Sequence, residues 1–264
     1  MSIVLAALAP HSPLLLPTTD KSHKKALNRL LEAYKSLGQL IHAVKPDVIL
    51  CFNPHATSVS NVYTFNLAEK FKATFPEFGD LVTIAEALGS PTFTHHLKEH
   101  LEANWPVSSI IKEEINYGAG IPILTLSSLP DKLRYSIISS RKAELAEHFN
   151  FGIKLQSEII NSEKRVVVLA SGDVASGISE AAARGKIPGS EEYYQDWDLA
   201  FKKNEIVKFL HDAKKTQVDK FCSCGAYSLS MLLGTINSIN TEFTTLYQEV
   251  LFGVGYQLSI WQPK

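Results

Sequence analysis

The chain has 264 residues, 45% of them hydrophobic, and a formal net charge of -1. That length and apolar content suffice for one large core spanning 1-264, and the near-neutral balance supplies no basic field that would argue for nucleic acid or an anionic membrane surface. Cys51, Cys222 and Cys224 form neither a disulfide framework nor a zinc-ribbon spacing, and no apolar run approaches the ~20 residues of a membrane helix; a reducing cytoplasm is the expected setting.

The first predicted element is a strand, Ile3 to Ala9 (IVLAALA), which runs into Pro10-His11-Ser12. It follows Met1-Ser2 with no basic leader, so it is not read as a signal peptide. Beyond Pro17, Asp20 offers a cap, and Leu27, Leu30, Leu31, Tyr34, Leu37, Leu40 and Ile41 recur at helical spacing. Pro46-Asp47 ends that helix. Val48 to Phe52 (VILCF) is a second buried strand, leading into Asn53-Pro54-His55. From Val59 to Leu81 the pattern alternates and predicts a strand or hairpin.

Pro91 to Asn104 reads as a helix carrying His95, His96 and His100. His96 and His100 stand at the i, i+4 spacing of zinc sites, without the Glu of a His-Glu-x-x-His motif. The preferred reading is exposed polar residues on the face of an amphipathic helix. Val107 to Ile111 predicts a short strand, Asn116 to Gly120 a turn, Ile121 to Leu126 a further strand, and Arg141 to Ser162 a helix. Arg165 to Gly177 (RVVVLASGDVASG) then gives an unbroken β-branched run ending in Ser171-Gly172-Asp173, the pattern of a strand covered on both faces. Glu191 to Ala213 and Phe221 to Ile239 predict helices, and Phe243 to Trp261 two closing strands around Gly253-Val254-Gly255.

The pattern specifies an α/β fold with a central mostly parallel or mixed sheet and helices on both faces. Ligands in such sheets collect at the carboxyl ends of the strands. If the three buried strands are parallel neighbours, His11, His55 and Asp173 emerge at one edge, and two histidines with a carboxylate suit a divalent metal. Each residue also has a plainer reading: the histidines as hydrogen-bonded turn residues, Asp173 as the cap of a following helix, and Cys224 as a small buried hydrophobe.

Ala9-Pro10-His11-Ser12-Pro13-Leu14-Leu15-Leu16-Pro17, Asn53-Pro54-His55, Ser171-Gly172-Asp173-Val174-Ala175-Ser176 and Phe252-Gly253-Val254-Gly255-Tyr256, in that order and spacing, resemble the motifs of the LigB-like superfamily of class III extradiol ring-cleaving dioxygenases, which includes the Memo proteins. The resemblance implies a ferrous iron held by two histidines and a glutamate, a catechol-type aromatic substrate, a separate proton-handling histidine and, since family members commonly dimerise, a homodimer. His11 and His55 match the metal histidines. The sequence departs from the pattern at three places: Ser176 replaces the proton-handling histidine, Tyr117 a further histidine, and Ser223 the metal glutamate. The Memo branch pairs two histidines with a cysteine at a Cys-Gly helix start, and Cys224 matches that position. A thiol there should have its pKa lowered by the helix dipole, and His11, His55 and Cys224, with or without Asp173, would suit copper, zinc or iron. Three readings follow: an iron dioxygenase, a metal-binding or accessory relative without ring cleavage, and a metal-free cleft for a small organic ligand.

Overall fold

The computed structural model describes residues 2–55 and 61–264. Val59, where the expected alternation begins, lies outside the described residues, as does Met1. The chain opens with β1 (Ile3–Ala9), α1 (Lys21–Val44) and β2 (Val48–Asn53), followed by β3 (Tyr63–Asn66), β4 (Lys70–Phe75) and β5 (Asp80–Gly89). Next come α2 (Pro91–Glu99), β6 (Val107–Ile110), α3 (Tyr117–Thr125), β7 (Arg134–Ser139), α4 (Leu145–Asn161), β8 (Val166–Ser171) and β9 (Ala175–Ser176). The last third holds α5 (Ser190–Lys202), α6 (Ile206–Asp212), α7 (Lys215–Lys220), α8 (Gly225–Thr235), β10 (Thr241–Leu251) and β11 (Val254–Pro263).

Among the described residues one mixed sheet runs β10-β11-β1-β8-β2-β7-β3-β6, with the β4–β5 hairpin joined through β5 to β7 and β9 paired to β11. Its centre, β1-β8-β2-β7, is entirely parallel. Of these, β1, β8 and β2 have runs that are apolar without alternation, because helices cover both faces. One core layer packs Leu155, Phe151 and Leu229 of α4 and α8 against Val168 and Leu50; the other packs Leu30 and Leu37 of α1 and Ile121 of α3 against Val167 and Ile49. Successive residues of β8 thus serve opposite layers.

Helix α1 starts as its sequence requires, with the Asp20 carboxylate accepting from Ser22 N at 2.8 Å. On the other face α4 and α8 touch backbone to backbone, since a Cβ on Gly152 would stand 2.9 Å from Gly234 Cα. No helix among the described residues is long and apolar enough to cross a membrane.

Three sequence expectations need correction. Ile121 to Leu126 lies in helix α3 and is not a strand: Asn116 caps it by accepting from Gly118 N at 3.1 Å, and a helix buried on nearly every side shows no periodicity to distinguish it from a strand. The span expected to be one helix from Glu191 to Ala213 is two, α5 and α6, broken where Asn204 adopts φ 55°, a conformation Asn tolerates better than most residues. Helix α8 begins at Gly225 and not near Phe221, because Cys222 turns the chain at φ 49°. Central strand β7 was not anticipated from the pattern.

Candidate metal centre

Because β8 lies between β1 and β2, their carboxyl ends place His11, Asp173 and His55 side by side. The turn carrying His11 is pinned from two sides: Tyr34 of α1 donates to the Pro10 carbonyl, and Ser12 Oγ lies 3.0 Å from the Tyr256 hydroxyl of β11. His11 is 2% exposed. Its Nδ1 stands 2.8 Å from Ser171 Oγ at the end of β8, and that hydroxyl donates to the Gly118 carbonyl. A carbonyl only accepts, so the serine proton is committed there and His11 Nδ1 must carry the hydrogen between ring and hydroxyl. The lone pair is thereby left on Nε2, the arrangement by which outer partners orient a metal-binding imidazole.

That Nε2 lies 3.3 Å from His55 Nε2 and 3.3 Å from Cys224 Sγ. His55 is set by the Asn53 side chain, which accepts from its main-chain N–H at 3.1 Å, and by Asn116 Nδ2, which donates to its carbonyl at 3.2 Å. Asn53 and Asn116 also bond to each other at 3.1 Å. Gly118 is needed for this approach, as a Cβ on it would stand 2.8 Å from His55 Cδ2. The start of α8 brings in Cys224 through Gly225 N, which donates to the Asp173 carbonyl at 3.0 Å. The ligand atoms of His11, His55 and Cys224 all lie within 4.8 Å of one another. Two imidazoles and a thiol facing a common point match the donor set of a borderline or soft divalent cation.

Burial dominates the electrostatics. It pushes the pKa of His55 down to about 4 and that of His11 well below its ordinary value, with His55 adding a repulsive contribution at His11. Both rings are therefore neutral, as ligation requires. Cys224 overturns an expectation: burial, reinforced by Asp173, pushes its thiol up to about 12, so desolvation outweighs the helix end. Thiolate ligation there requires the metal to displace the proton.

Asp173 is not a helix cap, because the chain continues into β9. Its Oδ1 accepts from His11 N at 3.3 Å, and burial raises its pKa to about 7. Tyr117, the first residue of α3, sets its ring 4.8 Å from the His55 ring and edge-on to His11 at 5.3 Å, with Phe78 5.1 Å beyond. Ser176 lines the same cleft, a cavity of about 460 Å³ that also includes Arg184, Asp219 and Tyr227. Ser223 belongs elsewhere: it is fully buried, and its Oγ accepts from the Tyr193 hydroxyl at 3.1 Å. Cys224, not Ser223, presents the third donor. Ser171, Asn53, Asn116 and Gly118 were not picked out as supports from sequence, although Ser171 opens the Ser-Gly-Asp turn and was the one with a local signal.

A family model described as the catalytic LigB subunit of aromatic ring-opening dioxygenase matches residues 5–259, and the chain belongs to this family. A protein of Clostridium acetobutylicum is 22% identical over 261 residues, a match that covers 94% of this chain. The chain spans about half, 55%, of that longer relative. The crystal structure of an uncharacterized protein from Escherichia coli K12 superposes with a TM-score of 0.68 at 17% identity, covering 98% of this chain and 99% of that one, a likeness of fold.

Proposed function

Within the LigB family, we propose that this chain is a metal-dependent oxidoreductase acting on a small catechol-type aromatic, with His11, His55 and Cys224 holding one divalent metal, ferrous iron in the first instance. The observation that carries the reading is the convergence of His55 Nε2 and Cys224 Sγ on His11 Nε2, each at 3.3 Å, in the wall of a cleft. Iron, when bound, supplies a Lewis acid and a redox-active centre. Tyr117 and Phe78 form an aromatic wall suited to a planar ring. Asp173, a carboxyl whose pKa burial raises to about 7, takes the role of accepting and returning a phenolic proton. The Ser176 hydroxyl does not titrate near neutrality, which leaves Asp173 as the proton handler.

The test is anaerobic loading with ferrous iron followed by oxygen uptake over a panel of catechols. Uptake that requires both iron and aromatic, and that falls in Asp173→Asn while iron content is kept, is the expected result. No uptake with iron demonstrably bound overturns the enzymatic reading. It would favour the second reading, a Memo-like metal-binding protein without ring cleavage, which is supported by Ser223 where the ring-cleaving pattern has its metal glutamate, by the Cys224 thiol beside it and by Ser176 and Tyr117 in place of histidines.

A further inference from the structure

A second group of metal-type side chains lies at the opposite edge of the sheet. Helix α4 starts beyond the carboxyl end of β7 and finishes just before the amino end of β8, so Glu158, in its last turn, stands at the amino edge of the strands. Helix α2 packs against α4, with His96 in its last turn and His100 at its carboxyl cap. The ligand atoms of His96, His100 and Glu158 lie within 4.8 Å of one another.

A separate observation points to a ligand. His96 Nε2 and Glu158 Oε2 are both shielded from solvent, and neither has a hydrogen-bond partner among the described residues. The nearest approach of His100, Nδ1 to Glu158 Oε2 at 3.7 Å, is too long for a hydrogen bond. His100 Nδ1 instead lies 2.9 Å from the His96 carbonyl oxygen. It therefore donates there, which leaves the lone pair on Nε2. Buried polar atoms without partners are rare, and an unseen ion is one of the few physical explanations for them. Here two such atoms, a nitrogen and a carboxylate oxygen, occur within one three-residue group.

We propose that His96, His100 and Glu158 form a second divalent-cation site, zinc being the best match to two imidazoles and one carboxylate, which ties α2 to α4. Donors around tetrahedral zinc stand about 3.3 Å apart, closer than the 4.8 Å within which these ligand atoms lie, so metal loading draws the three side chains together. His95 takes no part, since it faces Glu99 at 3.8 Å. An open cavity of about 650 Å³, lined by His96, Arg134, Asn161 and Lys164 among others, gives a route in from solvent.

The site is independent of the first, and equilibrium dialysis of the tag-free, chelator-stripped chain against zinc chloride at about pH 8, where imidazoles are neutral, separates the two. The wild type should take two equivalents, and His100→Ala and Glu158→Gln one each. His11→Ala/His55→Ala should keep one equivalent, which the further change His100→Ala removes. His100 is exposed, so its substitution leaves the packing intact and the comparison with wild type holds even if the double variant fails to fold. Zinc content of His100→Ala equal to wild type, or a folded His11→Ala/His55→Ala protein that binds no zinc, overturns the proposal.

Discussion

The two histidine clusters sit at opposite ends of the same parallel strands and are built on different plans. At the carboxyl edge each donor comes from a different element, and partners outside the cluster fix the two histidines: Ser171 commits the tautomer of His11, while Asn53 and Asn116 hold the backbone of His55. At the amino edge two donors share the end of one helix and the third comes from its neighbour, with only the His100 ring held, by the His96 carbonyl. The difference teaches that a helix can place two imidazoles side by side by periodicity alone, whereas a strand-end site depends on long-range contacts to aim each ring. A preorganised site should lose function when a support is removed, and a periodic one only when a ligand is.

The largest expected effect breaks the comparison at its first term. His11→Ala or His55→Ala alone should remove nearly all metal from the carboxyl-edge site, and the double variant should do little more, since the second loss has little left to destroy. Metal stoichiometry beside thermal melts reads this, and the fold should endure because both residues lie in turns at strand ends. If the histidines were only structural, alanine would cost about 1–3 kcal/mol in stability and leave metal content unchanged.

A smaller effect sharpens the contrast between the two plans. Ser171→Ala removes no ligand but frees His11 to take the wrong tautomer, and changes of this kind weaken metal binding roughly 10- to 100-fold. Zinc affinity at the carboxyl edge should fall accordingly, with the amino-edge affinity unchanged. Equal affinity in Ser171→Ala and wild type would show that the serine does not orient the ring.

At neutral pH the smallest effect, growing only on acidification, concerns a histidine that belongs to neither cluster. His148 lies fully buried in the first turn of α4, with Nδ1 3.0 Å from the Tyr63 hydroxyl, and burial pushes its pKa down to about 3. The unfolded chain protonates this ring near pH 6.5 and the folded chain only near pH 3, so its stabilisation is present above pH ~6.5 and is lost as pH falls, by at most ~1.4 kcal/mol per pH unit. His11 and His55 shift in the same direction in metal-free protein. Urea unfolding of chelator-treated protein across that range should show the decline, and His148→Gln should flatten part of it; an unchanged slope would mean that the ring is not the source.

How much of this could be read from sequence follows the same division. The strands β1, β2 and β8 were legible as unbroken apolar runs leading into short polar turns, and α1 as a leucine stripe with an Asp cap, because those signals are local. Strand β7 was not, since Arg134 and Ser136 interrupt its apolar run although Ser136 is satisfied by Thr94 at 2.8 Å. Helix α3 was misread because complete burial erases periodicity. His11 and His55 were legible from their places at strand ends. Their supports were not, because Ser171 meets His11 across 160 residues and Gly118 meets Ser171 across 53. The thiol's pKa was misjudged for a related reason: the helix end is visible in sequence, and the burial that outweighs it is not.

The central claim is that two imidazoles and the Cys224 thiolate hold one metal at the carboxyl edge. X-ray absorption on the His96→Ala/His100→Ala protein loaded with one equivalent of zinc tests it most directly. The account predicts one sulfur neighbour at about 2.3 Å and two imidazole nitrogens at about 2.0–2.1 Å, with the sulfur lost in Cys224→Ala. A first shell of nitrogen and oxygen alone, or a sulfur signal that survives Cys224→Ala, would contradict it.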